Sequence, residues 1–209
     1  PPIGSSAEGP MTRNMSSRGL GSSLTILQPY VFPYLAYFQI IGCVDTCVFL
    51  DDVGFIKGGW INRNAVLSDG QRQRLTIPVL GASPNREIRE VLVSGDPHWK
   101  RKLLATVEQA YSRAPFFEPT MHLVEDVLHF SDQPSIAEMA RRSILSVSQF
   151  LGLGTTLVES SSIFDNQGIG RTLRLIDICR KVGATNLVNP QGGQALYSKE
   201  RFREEGIDL

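Results

Sequence analysis

At 209 residues, with 21 acidic and 21 basic side chains and 42 % apolar residues, the chain has the composition of a globular protein long enough to bury one full hydrophobic core. Net neutrality provides no long-range field to draw it onto a polyphosphate backbone, so DNA is not an expected partner. No apolar run approaches the roughly 20 residues of a bilayer span, and three cysteines without a Cys-x-x-Cys pair suit a reducing cytoplasm better than a disulfide framework or structural zinc.

Residues 1–23 are rich in Gly, Ser and Pro and carry almost no large apolar side chain, which predicts a flexible leader, either native or a remnant ahead of a start at Met11 or Met15. The remainder, 24–209, is read as one α/β domain. Leu24-Thr-Ile-Leu27 has the apolar, β-branched character of a buried strand, and Phe32 to Ile41 is helical, with Pro33 in its first turn and Gly42 as its stop. Thr46 to Leu50 is a second buried strand, completing a βαβ unit whose two strands must be parallel. Ser68-Asp-Gly70, between Ala65–Leu67 and Arg74–Val79, carries a hairpin signature, and Glu87 to Val93 is expected as another strand.

Helices follow. Asp96-Pro97 opens one that carries Trp99, Leu103, Val107 and Tyr111 at a spacing of four. A second covers about Glu118 to Phe130, and a third starts at the capping box Ser135-Ile-Ala-Glu138 and ends near Leu151-Gly152. Thr156 to Val158 is a short strand that enters the polar turn Ser160-Ser-Ser162. Gly170 to Val182 forms a helix with Leu173, Ile176, Cys179 and Val182 inward and Arg171, Arg174 and Arg180 outward. Thr185 to Val188 is a strand, Lys199 to Glu205 a last helix, and Gly206 to Leu209 resembles the start of a strand cut short. Together these elements predict an α/β fold: a Rossmann-like three-layer parallel-sheet core with a β-hairpin excursion and a helical C-terminal half.

Ligands of open α/β sheets bind at the carboxyl ends of the strands, and three loops leave those ends. The first, Gln28-Pro-Tyr-Val-Phe-Pro-Tyr34, aims a strand exit at a helix N-terminus suited to an anion, with Gln28 and Tyr30 as its candidates; otherwise its aromatics staple helix to sheet. The second packs Asp51, Asp52, Lys57, Trp60, Asn62, Arg63 and Asn64 into 14 positions. Its carboxylates can receive an ammonium, its cations can clamp phosphate or carboxylate oxygens, and the bland alternative is a surface loop with a weak Asp52–Arg63 ion pair. In the third, Gly192 and Gly193 permit close approach to a ligand and Tyr197 is the reactive side chain nearby, though a tight turn explains the glycines equally well. The Ser160–Ser162 cluster suits a cap or turn better than a nucleophile, as it lacks a nucleophile elbow. His98, His122 and His129 do not make a convincing metal set, and no metal is assigned. Cys43, Cys47 and Cys179 lie in or beside apolar runs, where cysteine is usually a small hydrophobe.

Gln28-Pro-Tyr-Val-Phe-Pro-Tyr-Leu-Ala-Tyr-Phe-Gln39, Asp51-Asp-Val53, Phe55-Ile-Lys57, Trp60-Ile-Asn-Arg-Asn64, Leu75-Thr-Ile-Pro-Val79 and Ala110-Tyr-Ser-Arg-Ala-Pro-Phe-Phe117 resemble the pattern of the WbqC-like family, from about Leu24 to the end. Ala36 stands where the pattern has Gly, and Asn189-Pro190 replaces a small-residue turn. The resemblance implies a setting in glycan or specialised-metabolite biosynthesis, in O-antigen and natural-product pathways, and a transfer of a small acyl or aminoacyl group to an amine. In that setting Asp51 and Asp52 would receive or deprotonate the amine, Lys57 and Arg63 would hold a phosphorylated carrier, Trp60 with Tyr30 would wall the pocket against water, and Tyr37 is a further substrate-binding candidate. The implied partners are an amine or sugar substrate and an acyl or aminoacyl carrier (CoA, carrier protein or tRNA), with a homo-oligomer conceivable; no cofactor is assigned. A binding module without catalysis, or a hydrolase using Cys43 or Ser161, are the alternatives. The opening strand, turn and helix are also similar to the nucleotidylyltransferase fold, but Tyr34-Leu-Ala-Tyr37 stands where that fold carries His-x-Gly-His, so its adenylylation chemistry does not carry over.

Overall fold

Residues 22–209 are described in a computed structural model of the chain. The expected leader therefore lies outside the described residues, apart from its last two positions: Ser23 already belongs to the first strand.

The apolar segment Leu24–Leu27 lies at the centre of the main sheet. Its strand, β1 (Ser23–Leu27), runs parallel to β2 (Thr46–Phe49) in a register from Leu24 opposite Thr46 to Leu27 opposite Phe49. The helix between them, α1 (Leu35–Gly42), buries Tyr37, Phe38 and Ile41. It begins two residues beyond Pro33. A residue that precedes proline is disfavoured in the right-handed helical region, and Phe32 takes φ 46°, so the chain turns before the helix can start.

β7 (Thr156–Val158) adds to β2, and β8 (Asn186–Leu187) adds to the other side of β1, both parallel, giving the order β7-β2-β1-β8. The sheet therefore changes its direction of growth between β1 and β8. Alternation along the strands sorts the core. Leu24, Ile26 and Val48 pack against α5 (Arg171–Val182) and Phe202 of α6 (Lys199–Arg203), while Leu27, Cys47 and Phe49 pack against α1 and Ile144 of α4 (Ile136–Phe150). This is the expected three-layer parallel-sheet core. Near its end the chain makes a parallel bridge between Asn186 and Asp208, in keeping with the strand character expected there.

The excursion is an antiparallel hairpin, β3 (Arg63–Ser68) and β4 (Gln71–Thr76), closed by Asp69 and Gly70. Both turn residues have positive φ, 49° and 73°, as a two-residue turn matching the strand twist requires. The strand expected over Glu87–Val93 is mostly a tight turn. Glu87 and Glu90 satisfy one another's backbone N–H groups and close a 3-10 turn at Ile88–Glu90, leaving Leu92–Val93 (β6) to pair with Val79–Leu80 (β5). α2 (His98–Tyr111) and α3 (Phe117–His129) cover a separate core that holds Phe55, Ile61, Ile77, Leu103 and Val127. α4 opens on the capping box expected from the sequence: Ser135 accepts from the Glu138 N–H and Glu138 accepts from the Ser135 N–H. No helix among the described residues is long and apolar enough to cross a membrane.

Candidate functional site

The residues singled out in the sequence fall into three regions along the carboxyl edge of the sheet. At the ends of β2 and β7, Asp51 and Asp52 meet the serine turn. Ser160 Oγ donates to Asp51 Oδ1 at 2.6 Å, and Arg141 of α4 donates to Asp51 Oδ2 at 2.8 Å. Ser161 Oγ and Arg174 Nη2 both donate to Asp52 Oδ1, and Gln167 donates to Asp52 Oδ2 at 2.6 Å. Arg174 continues to Asn166 Oδ1 at 2.9 Å, and Asn166 donates on to Asp177 at 2.8 Å. Both aspartates are buried.

Their protonation is split. Burial pushes the Asp51 carboxyl above the usual carboxylate range, and the Ser160 hydrogen bond and the Arg141 charge only partly oppose this. Burial pushes Asp52 in the same direction, but hydrogen bonds from Arg174 and Ser161, together with the Arg174 charge, outweigh it and hold this carboxyl below its ordinary value. Asp51 also borders an open cleft with Arg89, Glu138 and Arg141.

This network corrects two expectations. Arg174 was expected to face solvent, yet it is 8 % exposed while Leu173 is 46 % exposed, because the buried charge of Asp52 draws the guanidinium inward. Arg63 does not pair with Asp52, whose ion-pair partner is Arg174.

The second region lies at the turn after β1. Val31 N–H donates to the Ile61 carbonyl at 3.0 Å, and Asn64 Nδ2 donates to the Phe32 carbonyl, so the Gln28–Tyr34 turn and the Trp60–Asn64 segment are stitched together. They converge on a cavity of about 500 Å³. Tyr30, Pro33 and Tyr34 wall one part of it; Trp60, Arg63, Asn64 and Arg72 wall the other. The Arg72 guanidinium lies 5.1 Å from the centroid of the Trp60 ring, a cation–π distance. Arg63 Nη1 donates to the Gly58 carbonyl at 3.2 Å, whereas its buried Nε has no hydrogen-bond partner among the described residues. Burial, reinforced by Tyr34, raises the Tyr30 phenol above its ordinary value.

Three further candidates, Tyr37, Asn62 and Lys57, do not line this cavity. Tyr37 is buried against Tyr30, with ring centroids 5.9 Å apart, and donates to the Gln28 carbonyl at 2.7 Å. Asn62 is buried and exchanges two hydrogen bonds with the backbone of Ile77, anchoring the base of the hairpin. Lys57 is exposed and lies outside the lining of the cavity.

The third region, after β8, is a cavity of about 420 Å³ that includes Asn189, Pro190, Gly193, Tyr197 and Lys199 but not Gly192. A Cβ at position 193 would meet the Asn189 side-chain amide, which would have to swing aside. Tyr197 packs edge-on against Phe202, and burial raises its phenol.

Sequence reasoning did not single out Arg72, Arg141 or Gln167. The alternation Gln71-Arg72-Gln73-Arg74 places both arginines on one face of β4 and was the available signal for Arg72. Nothing local marks Arg141 or Gln167, which reach the aspartates across 90 and 115 residues.

A parallel sheet flanked by helices, with charged and aromatic side chains gathered at its carboxyl edge, defines an α/β protein whose candidate site lies at that edge. The sequence pattern of the WbqC-like protein family matches residues 28–209, and the chain belongs to that family. It is also similar to the Uncharacterized protein Rv1507c of Mycobacterium tuberculosis, at 26 % identity over 186 residues, which span 88 % of this chain and 79 % of the relative. No solved structure matches it.

Proposed function

We propose that this WbqC-like protein transfers a small acyl or aminoacyl group to an amine in glycan or specialised-metabolite biosynthesis, and that the cavity between Tyr30 and Trp60 holds the donor. The observation that carries this is the composition of the cavity: two arginines and three aromatic rings around about 500 Å³, a setting for an anionic carrier such as a phosphorylated thiol or nucleotide. Arg72 would take the anionic end, and Arg63 the end nearer the acyl group. Trp60 and Tyr34 would cover the donor, and Tyr30, whose pKa burial raises, would donate to the acyl carbonyl oxygen as charge develops there. The amine nitrogen bonds to the carbonyl carbon, the bond from that carbon to the carrier breaks, and the amine proton leaves with the carrier thiol or hydroxyl.

Asp51 and Asp52 take a different part from the one their spacing suggests. All four of their carboxylate oxygens are engaged, so they position the serine turn and the arginines of α4 and α5 instead of receiving the amine. The hydrolase alternative has little geometric support. Cys43 precedes β2 at the opposite, amino edge of the sheet, burial pushes the Cys47 and Cys179 thiols up to about 12, and Ser161 gives its hydroxyl to Asp52.

Incubation of the protein with amino sugars and other amines, together with acyl-CoA, acyl-carrier-protein or aminoacyl-tRNA donors, should yield a product shifted by the mass of the acyl group. Arg63→Met should reduce that yield at least tenfold. Donor binding by calorimetry with no product from any donor class would favour a carrier-binding module, a reading consistent with the fully engaged carboxylates.

A further inference from the structure

The transfer proposed above assigns no occupant to an apolar cavity behind the hairpin. About 230 Å³ lies between the β3–β4 hairpin and the α2–α3 pair, open to solvent on one side, and Val31, Leu75, Leu103, Val107 and Val124 are among its walls. Walls of this kind offer water few hydrogen-bond partners, so an apolar group that enters the space is favoured. An apolar cavity of about 150 Å³ accepts a benzene ring, and at about 30 Å³ for a water-sized group the space here holds about eight non-hydrogen atoms.

The connection to the donor cavity lies in two residues. Arg63 and Asn64 line both spaces. At that shared wall the Arg63 guanidinium is only partly satisfied: Nη1 donates to the Gly58 carbonyl, and the buried Nε lacks a partner among the described residues. Asn64 is already engaged, donating to the Phe32 carbonyl and accepting from the Ala65 N–H, which leaves Arg63 to meet the ligand.

We infer that the site takes an amphipathic acyl group: a chain of about six to eight carbons in the apolar cavity, with its carboxyl or thioester carbonyl end at Arg63. The inference rests on the donor cavity proposed above and specifies the acyl group of that donor.

Calorimetric titration of the full chain with sodium butanoate, hexanoate, octanoate and dodecanoate tests it. Affinity should rise about fourfold per methylene up to eight carbons and fall at twelve, where the chain outgrows the cavity. Val107→Phe, which fills the cavity from α2, should move the optimum to butanoate or hexanoate. Affinity independent of chain length overturns the inference, as does an unchanged length profile in a folded Val107→Phe protein. If that variant fails to fold, the wild-type length series decides. Octanoate binding without transfer of an octanoyl group from CoA or carrier-protein donors, or of any group from aminoacyl-tRNA, upholds the cavity assignment and removes the transferase reading. Transfer from acetyl donors with no length dependence does the reverse.

Discussion

The two charged regions at the carboxyl edge use similar side chains in opposite ways. Around Asp51 and Asp52 each buried charge has a partner of opposite sign, and serine and glutamine hydroxyl and amide groups occupy the remaining oxygens. Around Trp60 the arginines have no carboxylate: Arg72 lies over an indole, and Arg63 retains a buried N–H without an acceptor among the described residues. A closed network stabilises and orients, whereas an open cationic site has free energy left to give to a ligand. Residue content alone would have ranked the carboxylate pair as the reactive centre. The pairing favours the arginine-bearing cavity, where the proposed donor site lies.

The contrast can be broken by mutation, and the largest effect should come from the closed network. Asp52→Ala leaves Arg174 buried and unpaired, and chemical denaturation should show a loss of about 3–5 kcal/mol. A loss below about 1 kcal/mol would mean that the network does not hold the fold. Ser161→Ala removes one donor from Asp52 and should cost about 1–3 kcal/mol in the same measurement.

The pH dependence sharpens the same point. The folded pKa of Asp52 is depressed, so its contribution is complete above the ordinary carboxylate value of about 4 and is lost as pH falls through the folded value. The gap in stability between the wild type and Arg174→Met should therefore be wide at pH 6 and narrow steadily below about pH 4, as read from thermal melts. Asp51, whose folded pKa is raised, acts with the opposite sign and should favour the folded state on the acid side.

The smallest effect on stability is expected at the open site. Trp60 is half exposed, and Trp60→Ala, which also removes the cation–π contact with Arg72, should change unfolding by no more than about 1 kcal/mol while donor affinity falls several-fold. A large loss of stability with unchanged ligand binding would exchange the roles of the two regions.

What could be read directly from the sequence is what neighbours along the chain decide. The βαβ opening follows from apolar runs and a glycine stop, the hairpin from Asp69-Gly70, and the start of α4 from the reciprocal bonds of Ser135 and Glu138, all of which act within a few residues. The meeting of Tyr30 with Trp60 was also legible, because both segments leave adjacent parallel strands at the same edge. The partners of Asp51 and Asp52 were not. Helical periodicity assigned Arg174 to the outer face since it counts hydrophobicity and ignores a buried charge brought up from another element; Arg141, Ser161, Gln167 and Arg174 lie 90 to 122 residues from the aspartates they satisfy. Local rules therefore determined which elements form and which edge they present. Only the folded chain decided which charges on that edge cancel and which stay open, because the desolvation that forces a charge to find a partner does not exist until distant segments close over it.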